Sequence, residues 1–253
     1  PVGPVNVFLL KGEPLTLIDA GPRTDEAYDA LATALAEHKL QVSDIERIIL
    51  THHHVDHIGL LARLMDESGA ESWAHPKVRT EEMPHESEEE ARRQFYHDVM
   101  TEFGVPQPVQ EESMALWGAF RVLSEPFRID HVFQDGAQAG PFTTYFVPGH
   151  SATDTLLVHD EGNYSIVGDH LLQTINPNPL IRRPDGPGAP RRHSLVQFQL
   201  SLVRARQLDL GRCFPGHGPH FDDHRAVVDG LLAKHERRNH RVLASIGAAG
   251  STV

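Results

Sequence analysis

Four side chains of metal-binding type stand close together in the first quarter of the chain. His52, His54, Asp56 and His57 all lie in the run 51–59, whose letters are THHHVDHIG. The mostly apolar run 47–50 before them predicts a buried strand, and helical spacing of apolar residues begins near Asp56. Because His52 and His54 alternate, both can point to one side of the loop. Imidazole and carboxylate groups at this spacing predict a metal site.

Three further candidate ligands share one local pattern. Each follows a glycine just past the end of a predicted strand, and they are His150, Asp169 and His217. Glycine lets the backbone turn sharply and approach an ion closely, so this pattern aims side chains at a common site. Seven ligands, five His and two Asp, are more than one tetrahedral ion binds. They predict two ions about 3.5–4 Å apart, bridged by a carboxylate and a hydroxide.

The elements that must position these residues are short strands alternating with helices. Strands are predicted at 5–10, 15–19, 45–50, 71–74, 131–133, 143–147, 155–159, 164–167 and 212–214. Helices are predicted at 25–39, from about 56 to 68, and at 88–103, 111–123, 194–207 and 222–239. In this scheme the first four ligands follow one predicted strand, and each of the three later ligands follows another. The ends of these strands are therefore expected to meet.

Two segments interrupt the alternation. Residues 77–128 are predicted to be a helical insertion, either a packed surface excursion or a lid or homodimer surface over the site. The insertion supplies large apolar side chains for such a surface: Phe95, Tyr96, Met100, Phe103, Met114, Trp117 and Phe120. Residues 176–193 are too rich in Pro and Gly, and too long, for a passive connector, and we interpret them as a substrate-side loop. This loop contains four arginines that could contact substrate, Arg182, Arg183, Arg191 and Arg192.

Composition restricts the class of protein. A chain of 253 residues with 40% hydrophobic and 23% charged residues is ordinary for a globular protein, and we expect a single domain over 1–253. The net charge of −12 argues against a nucleic-acid partner. No apolar run approaches the roughly 18 residues that span a bilayer, so no membrane partner is expected. The single cysteine, Cys213, excludes an internal disulfide and favours a reducing, cytoplasmic compartment.

The order of these motifs resembles the metallo-β-lactamase superfamily. The matching positions are Thr51-His52-x-His54-x-Asp56-His57-x-Gly59, then His150, Asp169 and His217, with Asp19-Ala20-Gly21 similar to the Asp-Thr-Gly turn near the family's start. The resemblance extends over nearly the whole chain. It implies an α/β fold, a four-layer αββα sandwich with the metals at one edge of its two sheets.

The resemblance also implies a role for each matched residue. His52, His54 and His150 would hold the first metal, and Asp56, His57 and His217 the second. Asp169 would bridge the two metals, and Asp19 would orient a ligand histidine. Asp56 would also align the nucleophile, which makes it the predicted catalytic residue. Two divalent ions are expected as cofactors, with zinc favoured and iron or manganese open. Three neighbours of these residues receive no role from the sequence: His53, His170 and Asp154.

The predicted function is hydrolysis of a small ester-like substrate by a metal-bridging hydroxide, with thioester or ester bonds favoured. This places the chain in a branch that resembles glyoxalase II. Quorum-quenching lactonases usually have a tyrosine where Leu172 stands, and diiron flavoprotein reductases usually have a glutamate at His54. Four alternatives stay open: phosphodiester cleavage of RNA, lactone or β-lactam opening, iron-dependent sulfur or oxygen redox chemistry, and ligand binding without catalysis.

Overall fold

A computed structural model describes residues 3–78, 86–120, 123–184, 186 and 188–246, and its strands form two five-stranded sheets. The first sheet contains, in spatial order, β1 (Phe8–Leu10), β2 (Thr16–Ile18), β3 (Arg47–Ile49), β4 (Glu71–Ala74) and β5 (His131–Val132). The second sheet contains β6 (Gln138–Ala139), β7 (Phe142–Phe146), β8 (Thr155–His159), β9 (Tyr164–Gly168) and β10 (Arg212–Pro215), with β10 at one edge and β6 at the other.

The helices of the described residues connect these strands. They are α1 (Asp25–Glu37), α2 (Val55–Ile58), α3 (Leu61–Ser68), α4 (Glu86–Glu102), α5 (Gln107–Phe120), α6 (Ser194–Gln207) and α7 (His224–Ser245), with a 3-10 turn at Val42–Asp44. Thr24 caps α1 by accepting a hydrogen bond from the Ala27 amide at 3.1 Å. No helix of this described part of the chain is long and apolar enough to cross a membrane.

Alternation along the strands divides the apolar side chains between layers. In the first sheet, Leu17 and Ile48 pack against α1 and α3, whereas the next residues, Ile18 and Ile49, pack against the second sheet. Successive side chains of a strand point to opposite faces, so one strand serves both layers. The second sheet behaves alike, with Leu156 and Val167 facing α6 and α7, and with Leu157 and Ile166 facing inward. The four-layer αββα sandwich is confirmed.

Strand direction brings the ends of several strands to one edge of the sandwich. β2, β3 and β4 are parallel, so the chain leaves β3 at the same edge as its neighbours. In the second sheet β8 is antiparallel to both β7 and β9, and β10 is parallel to β9. It follows that β7, β9 and β10 all end at one edge. The Thr155 amide joins this edge to the first sheet by donating to the Thr51 carbonyl at 3.0 Å.

Several predicted boundaries differ from the structure. The predicted helix from 56 to 68 is divided into α2 and α3, and α2 ends where a Cβ at Gly59 would meet the Arg23 amide. The prediction that a helix begins at 111 was wrong, because α5 begins at Gln107. Pro108 is tolerated in its first turn, where a backbone N–H has no helical acceptor. The strand β6 was not predicted, since two residues carry too little pattern.

The insertion predicted at 77–128 contains α4 and α5. Residues 79–85 and 121–122 of it, and the side chains of Trp117 and Phe120, lie outside the described part. Among the side chains that are described, Phe103, the residue after α4, is 46% exposed, and Leu116 on α5 is 58% exposed. The homodimer contact expected there stays a prediction, as does the single domain over 1–253.

Candidate metal centre

The loop after β3 is held in place by one buried carboxylate. Asp19, which follows β2, has a left-handed backbone with φ of 61° and is fully buried. Its two oxygens accept hydrogen bonds from the Thr51 amide, the Thr51 hydroxyl and His57 Nδ1, each at 2.8 Å. The carboxylate therefore fixes the beginning of the loop and, six residues later, the ring of His57.

These contacts also determine which ring nitrogen faces the site. The Thr51 hydroxyl donates to Asp19, so at 3.1 Å it accepts from His52 Nδ1. His57 Nδ1 likewise donates to Asp19, and His217 Nδ1 donates to the Pro4 carbonyl at 3.0 Å. With each Nδ1 used as a donor, the Nε2 atom of each ring is left to face the site. The rings oriented in this way are those of His52, His57 and His217, three of the five predicted histidine ligands.

The three ligands predicted at later strand ends reach the same place. Asp169 follows β9, and its carboxylate lies 3.5 Å from His57 Nε2, 3.6 Å from His150 Nε2 and 3.4 Å from His217 Nε2. His217 Nε2 also lies 3.3 Å from Asp56 Oδ2. The rings of His52 and His54 have centroids 4.7 Å apart, and that of His150 is 4.5 Å from His54. The structure thus brings all seven predicted ligands together.

The seven side chains form three overlapping groups within which the candidate ligand atoms lie inside 4.8 Å of one another. The groups are His52, His54 and His150; His52, His57 and Asp169; and Asp56, His57 and His217. Asp169 lies between the first and third groups, where the resemblance places a bridge. This geometry agrees with the predicted division, and the role of each residue as a ligand stays a prediction.

Unsatisfied buried atoms give an independent reason to expect cations here. Among the described residues, the buried side-chain atoms without a hydrogen-bond partner include the following: His52 Nε2, His57 Nε2, both ring nitrogens of His150, Asp169 Oδ1 and His217 Nε2. A buried polar atom without a partner costs about 1–3 kcal/mol, so a convergent set is unfavourable unless something binds it. Nitrogen and carboxylate donors at such distances fit divalent metal ions.

Electrostatics differ between the two ends of the cluster. Burial, followed by repulsion from the neighbouring imidazoles, lowers the pKa of His52 and of His54 well below the ordinary value. Burial also opposes protonation of His217, but Asp169 and Asp56 outweigh it and raise the pKa of His217 to about 10. The pKa of Asp56 is lowered despite its burial, because the imidazoles of His217, 3.3 Å away, and of nearby His57 favour the charged carboxylate. Asp56 is therefore a carboxylate at neutral pH.

The three residues without a predicted role lie around the cluster and outside its groups. His53 Nδ1 lies 2.8 Å from the Thr153 hydroxyl. Asp154 is buried and accepts from the Ser151 amide at 2.8 Å and the Ser151 hydroxyl at 2.6 Å, which closes the turn after His150. The ring of His170 packs against Phe198, and burial lowers the pKa of His170 to about 3. Sequence reasoning missed the Pro4 carbonyl that orients His217 and the Asp154 carboxylate that closes the turn after His150. A backbone carbonyl and a turn leave no distinctive signal in the sequence.

Comparison with known proteins gives one consistent family. The Lactamase_B family, described as the metallo-beta-lactamase superfamily, matches residues 1–217. A Bacillus subtilis protein described as a probable metallo-hydrolase is 35% identical over 95% of this chain and 75% of its own length. An atrochrysone carboxyl ACP thioesterase of Aspergillus fumigatus is 23% identical over 95% of this chain and 59% of its own length.

A solved structure gives the same result in three dimensions. A metallo-beta-lactamase family protein of Thermus thermophilus is 27% identical to this chain and superposes with a TM-score of 0.80. The similarity covers 98% of this chain and 80% of the Thermus chain. It therefore includes both sheets and the edge at which the seven side chains meet.

Proposed function

The chain belongs to the metallo-beta-lactamase superfamily and is a metal-dependent hydrolase, and on this premise we propose that it hydrolyses a small ester or thioester with two divalent cations. The observation that supports two cations is the grouping of seven imidazole and carboxylate side chains into overlapping sets. His52, His54 and His150 would hold one cation. Asp56, His57 and His217 would hold the other, with Asp169 between them.

The chain's own residues prepare the site for hydrolysis. When bound, two such cations supply the Lewis acidity that activates water near neutral pH and polarises an acyl carbonyl. Asp56 is ionised and its side chain is 33% exposed, so it can accept a hydrogen bond from an attacking water and orient it. Asp19 keeps His57 Nε2 directed at the site, which limits the reorganisation needed during the reaction.

We favour ester and thioester bonds because of the net charge of this chain and because of the relatives that it resembles. The likeness to an acyl-carrier-protein thioesterase supports an acyl substrate. The net charge of −12 disfavours RNA, which would need a concentrated basic surface. Zinc is the metal that we favour for a site of imidazoles and carboxylates, although iron and manganese accept the same ligands. A small molecule as partner and a cytoplasmic location also belong to this proposal.

The test is a substrate panel run on protein whose metal content has been measured. We expect an acyl-CoA or acyl-glutathione thioester, or a simple ester, to be hydrolysed faster than a lactone, a β-lactam or an RNA phosphodiester. Activity should disappear after chelation and return with the metal. Iron as the main metal, together with oxygen uptake, would instead favour the redox alternative.

Two neighbouring histidines supply a matched pair of variants. His54→Ala removes a predicted ligand, whereas His53→Ala removes a ring from the same loop that belongs to none of the three groups. We expect His54→Ala to lose metal and turnover while the circular dichroism spectrum is retained, and Asp169→Ala to behave likewise. His53→Ala should keep its metal. Full activity in either ligand variant would contradict the proposed site.

A further inference from the structure

The helix α6 has apolar side chains on two opposite faces. One face packs against the second sheet and α7, and it contains the buried residues Phe198 and Leu202. The other face points to solvent and contains Val196, Leu200 and Val203, which are 53%, 67% and 43% exposed. Spacings of four and three residues place these three on one stripe of a helix. An outer helix of a sandwich needs one apolar face, so the second stripe has no role within the fold.

The loop 176–193 places two more exposed apolar residues beside this stripe. Leu180 is 55% exposed and Ile181 is 41% exposed. The next residue, Arg182, donates from Nη2 to the Gln197 side chain of α6 at 3.2 Å, which holds this part of the loop against α6. We name the stripe together with the two loop residues the α6 surface. Exposed apolar residues that lie together on a folded domain commonly mark a site of protein association.

None of the five residues that define the α6 surface is charged. The two charged residues of α6 itself are Arg204 and Arg206, and both pair within the molecule. Arg204 lies 3.0 Å from Asp135, and Arg206 binds Asp229 at 2.7 Å. Because the chain has a net charge of −12, two copies repel each other least where uncharged surfaces meet. Depletion of charged residues is also the compositional mark of the centre of an interface.

The order of residues along the stripe is suited to pairing with itself. From a midpoint between Gln199 and Leu200, Val196 lies as far in one direction as Val203 lies in the other. Two α6 helices that pack antiparallel across a two-fold axis at this midpoint therefore place Val196 of each copy against Val203 of the other. A two-fold interface requires this property, because one patch must fit its own copy.

We propose that the α6 surface binds a second copy of this chain, with the two α6 helices antiparallel. This contact is separate from the one expected at the inserted helices α4 and α5. The 14 residues of α6 extend over about 21 Å, which is short for a standard interface of roughly 800 Å² per partner. We therefore expect a dimer with a dissociation constant in the micromolar range.

The first test is sedimentation equilibrium of the metal-loaded protein over the micromolar range. Leu200→Glu places a charge on each side of the two-fold axis and should raise the dissociation constant on the order of 100-fold. Val132→Glu is the matched control, at a position on β5 that is 58% exposed, and should leave the constant unchanged. Circular dichroism would confirm that both variants fold. A protein that stays monomeric over this range, or a dimer that is unaffected by Leu200→Glu, would overturn the proposal.

A variant of the inserted helices distinguishes the two surfaces. Leu116 on α5 is 58% exposed, and Leu116→Glu should leave the dimer intact. Dissociation of the dimer by Leu116→Glu and not by Leu200→Glu would assign the contact to the insertion and contradict the α6 surface.

Disulfide pairing tests the antiparallel arrangement. In that arrangement, position 196 of one copy faces position 203 of the other, whereas equal positions are separated by seven residues, or about 10 Å along the axis. A disulfide needs Cα atoms within about 7 Å of each other. A mixture of the Val196→Cys and Val203→Cys proteins should therefore form a linked dimer on mild oxidation, and neither protein alone should do so. The native Cys213 is fully buried and does not compete. No linked dimer in the mixture, or equally rapid linking of each variant to itself, would contradict the proposed geometry.

Discussion

At the scale of single residues, Asp19 explains how a loop of adjacent histidines acquires one geometry. Its left-handed backbone turns the carboxylate under the loop, where it meets Thr51 and His57 at once. The histidine thereby offers Nε2 to the site with its ring already oriented. Such outer contacts to ligand histidines commonly change metal affinity by about 10–100-fold.

Asp19→Asn should therefore weaken metal binding by about 10–100-fold. Asparagine tolerates the left-handed backbone and keeps the shape, but its amide cannot accept from both Thr51 and His57 Nδ1 as the carboxylate does. The measurement is metal retained in competition with a chelator. Asp25→Asn, on the exposed first turn of α1, is the control and should behave as the unaltered protein. Unchanged affinity in Asp19→Asn would mean that the carboxylate does not orient the ring.

His75, at the end of β4, gives a residue-scale prediction about pH. Its Nδ1 accepts from the Lys77 amide at 3.0 Å, which requires a neutral ring, and burial followed by the Lys77 charge lowers the pKa of His75 to about 4. The unfolded chain, with an ordinary histidine pKa of about 6.5, then takes up a proton that the folded chain does not. The stability contributed by this group is complete above about pH 6.5 and is lost as the pH falls towards 4.

The variant His75→Asn keeps an acceptor for the Lys77 amide and does not titrate. Its free energy of unfolding in urea should fall less steeply with acid than that of the unaltered protein, by up to about 1.4 kcal/mol per pH unit below pH 6.5. His38→Asn, at an exposed position after α1, is a control that should leave the slope unchanged. Parallel slopes for the protein and for His75→Asn would contradict the neutral, buried ring.

At the scale of elements, the strands position the site by the places at which they end. β3, β7, β9 and β10 deliver their following residues to one edge, because β7 and β9 share a direction and β10 is parallel to β9. Glycines at these strand ends then let the side chains of the site lie close together. A Cβ at Gly216 would clash with Asp169 Oδ1 and would lie 2.6 Å from His57 Cε1.

Gly216→Ala should accordingly reduce metal content and activity strongly while the sheets remain intact. A methyl group there must displace the Asp169 carboxylate, which lies between the first and third groups of predicted ligands. Metal analysis after purification and circular dichroism would measure the two effects separately. Gly12→Ala is the matched control, because a Cβ at Gly12 has no atom within 4 Å. Normal metal content in Gly216→Ala would show that Asp169 moves without consequence.

At the scale of the whole molecule, each sheet packs against its own helices, and the site lies where the two halves meet. The Thr51 carbonyl accepts from the Thr155 amide, and Val5 pairs with His217, so both halves must be in register for the cluster to form. Metal bound across this edge stabilises the folded state alone, which links the stability of the protein to metal concentration.

The reactivity of the Cys213 thiol measures whether the half of the molecule built on the second sheet is folded. It is completely buried between the second sheet and its helices, and burial, together with the Asp222 charge, raises the pKa of its thiol to about 12. We expect a disulfide-exchange reagent near pH 8 to leave the native thiol unmodified and to react fully in concentrated urea. The time course of reaction at intermediate urea should follow global unfolding. Rapid modification of the native protein would contradict this packing.

Much of the fold and the ligand set could be predicted because they depend on local chemistry. Alternation of apolar residues located nearly all the strands, and β4 and β8 were predicted at their observed bounds. Ligand type and the glycine before each later ligand selected all seven residues that the fold brings together. Residue type and spacing determine what a side chain can bind, and neither depends on distant segments.

Only the tertiary structure decided how those residues are aimed and which neighbours support them. The direction of His217 depends on the Pro4 carbonyl from the opposite end of the chain, and that of His57 depends on the backbone of Asp19. Four arginines of one loop look equivalent in sequence, yet packing against α4 and α6 buries Arg182 alone. Burial and direction are set by contacts between segments far apart in sequence, so they come into existence only when the chain has folded.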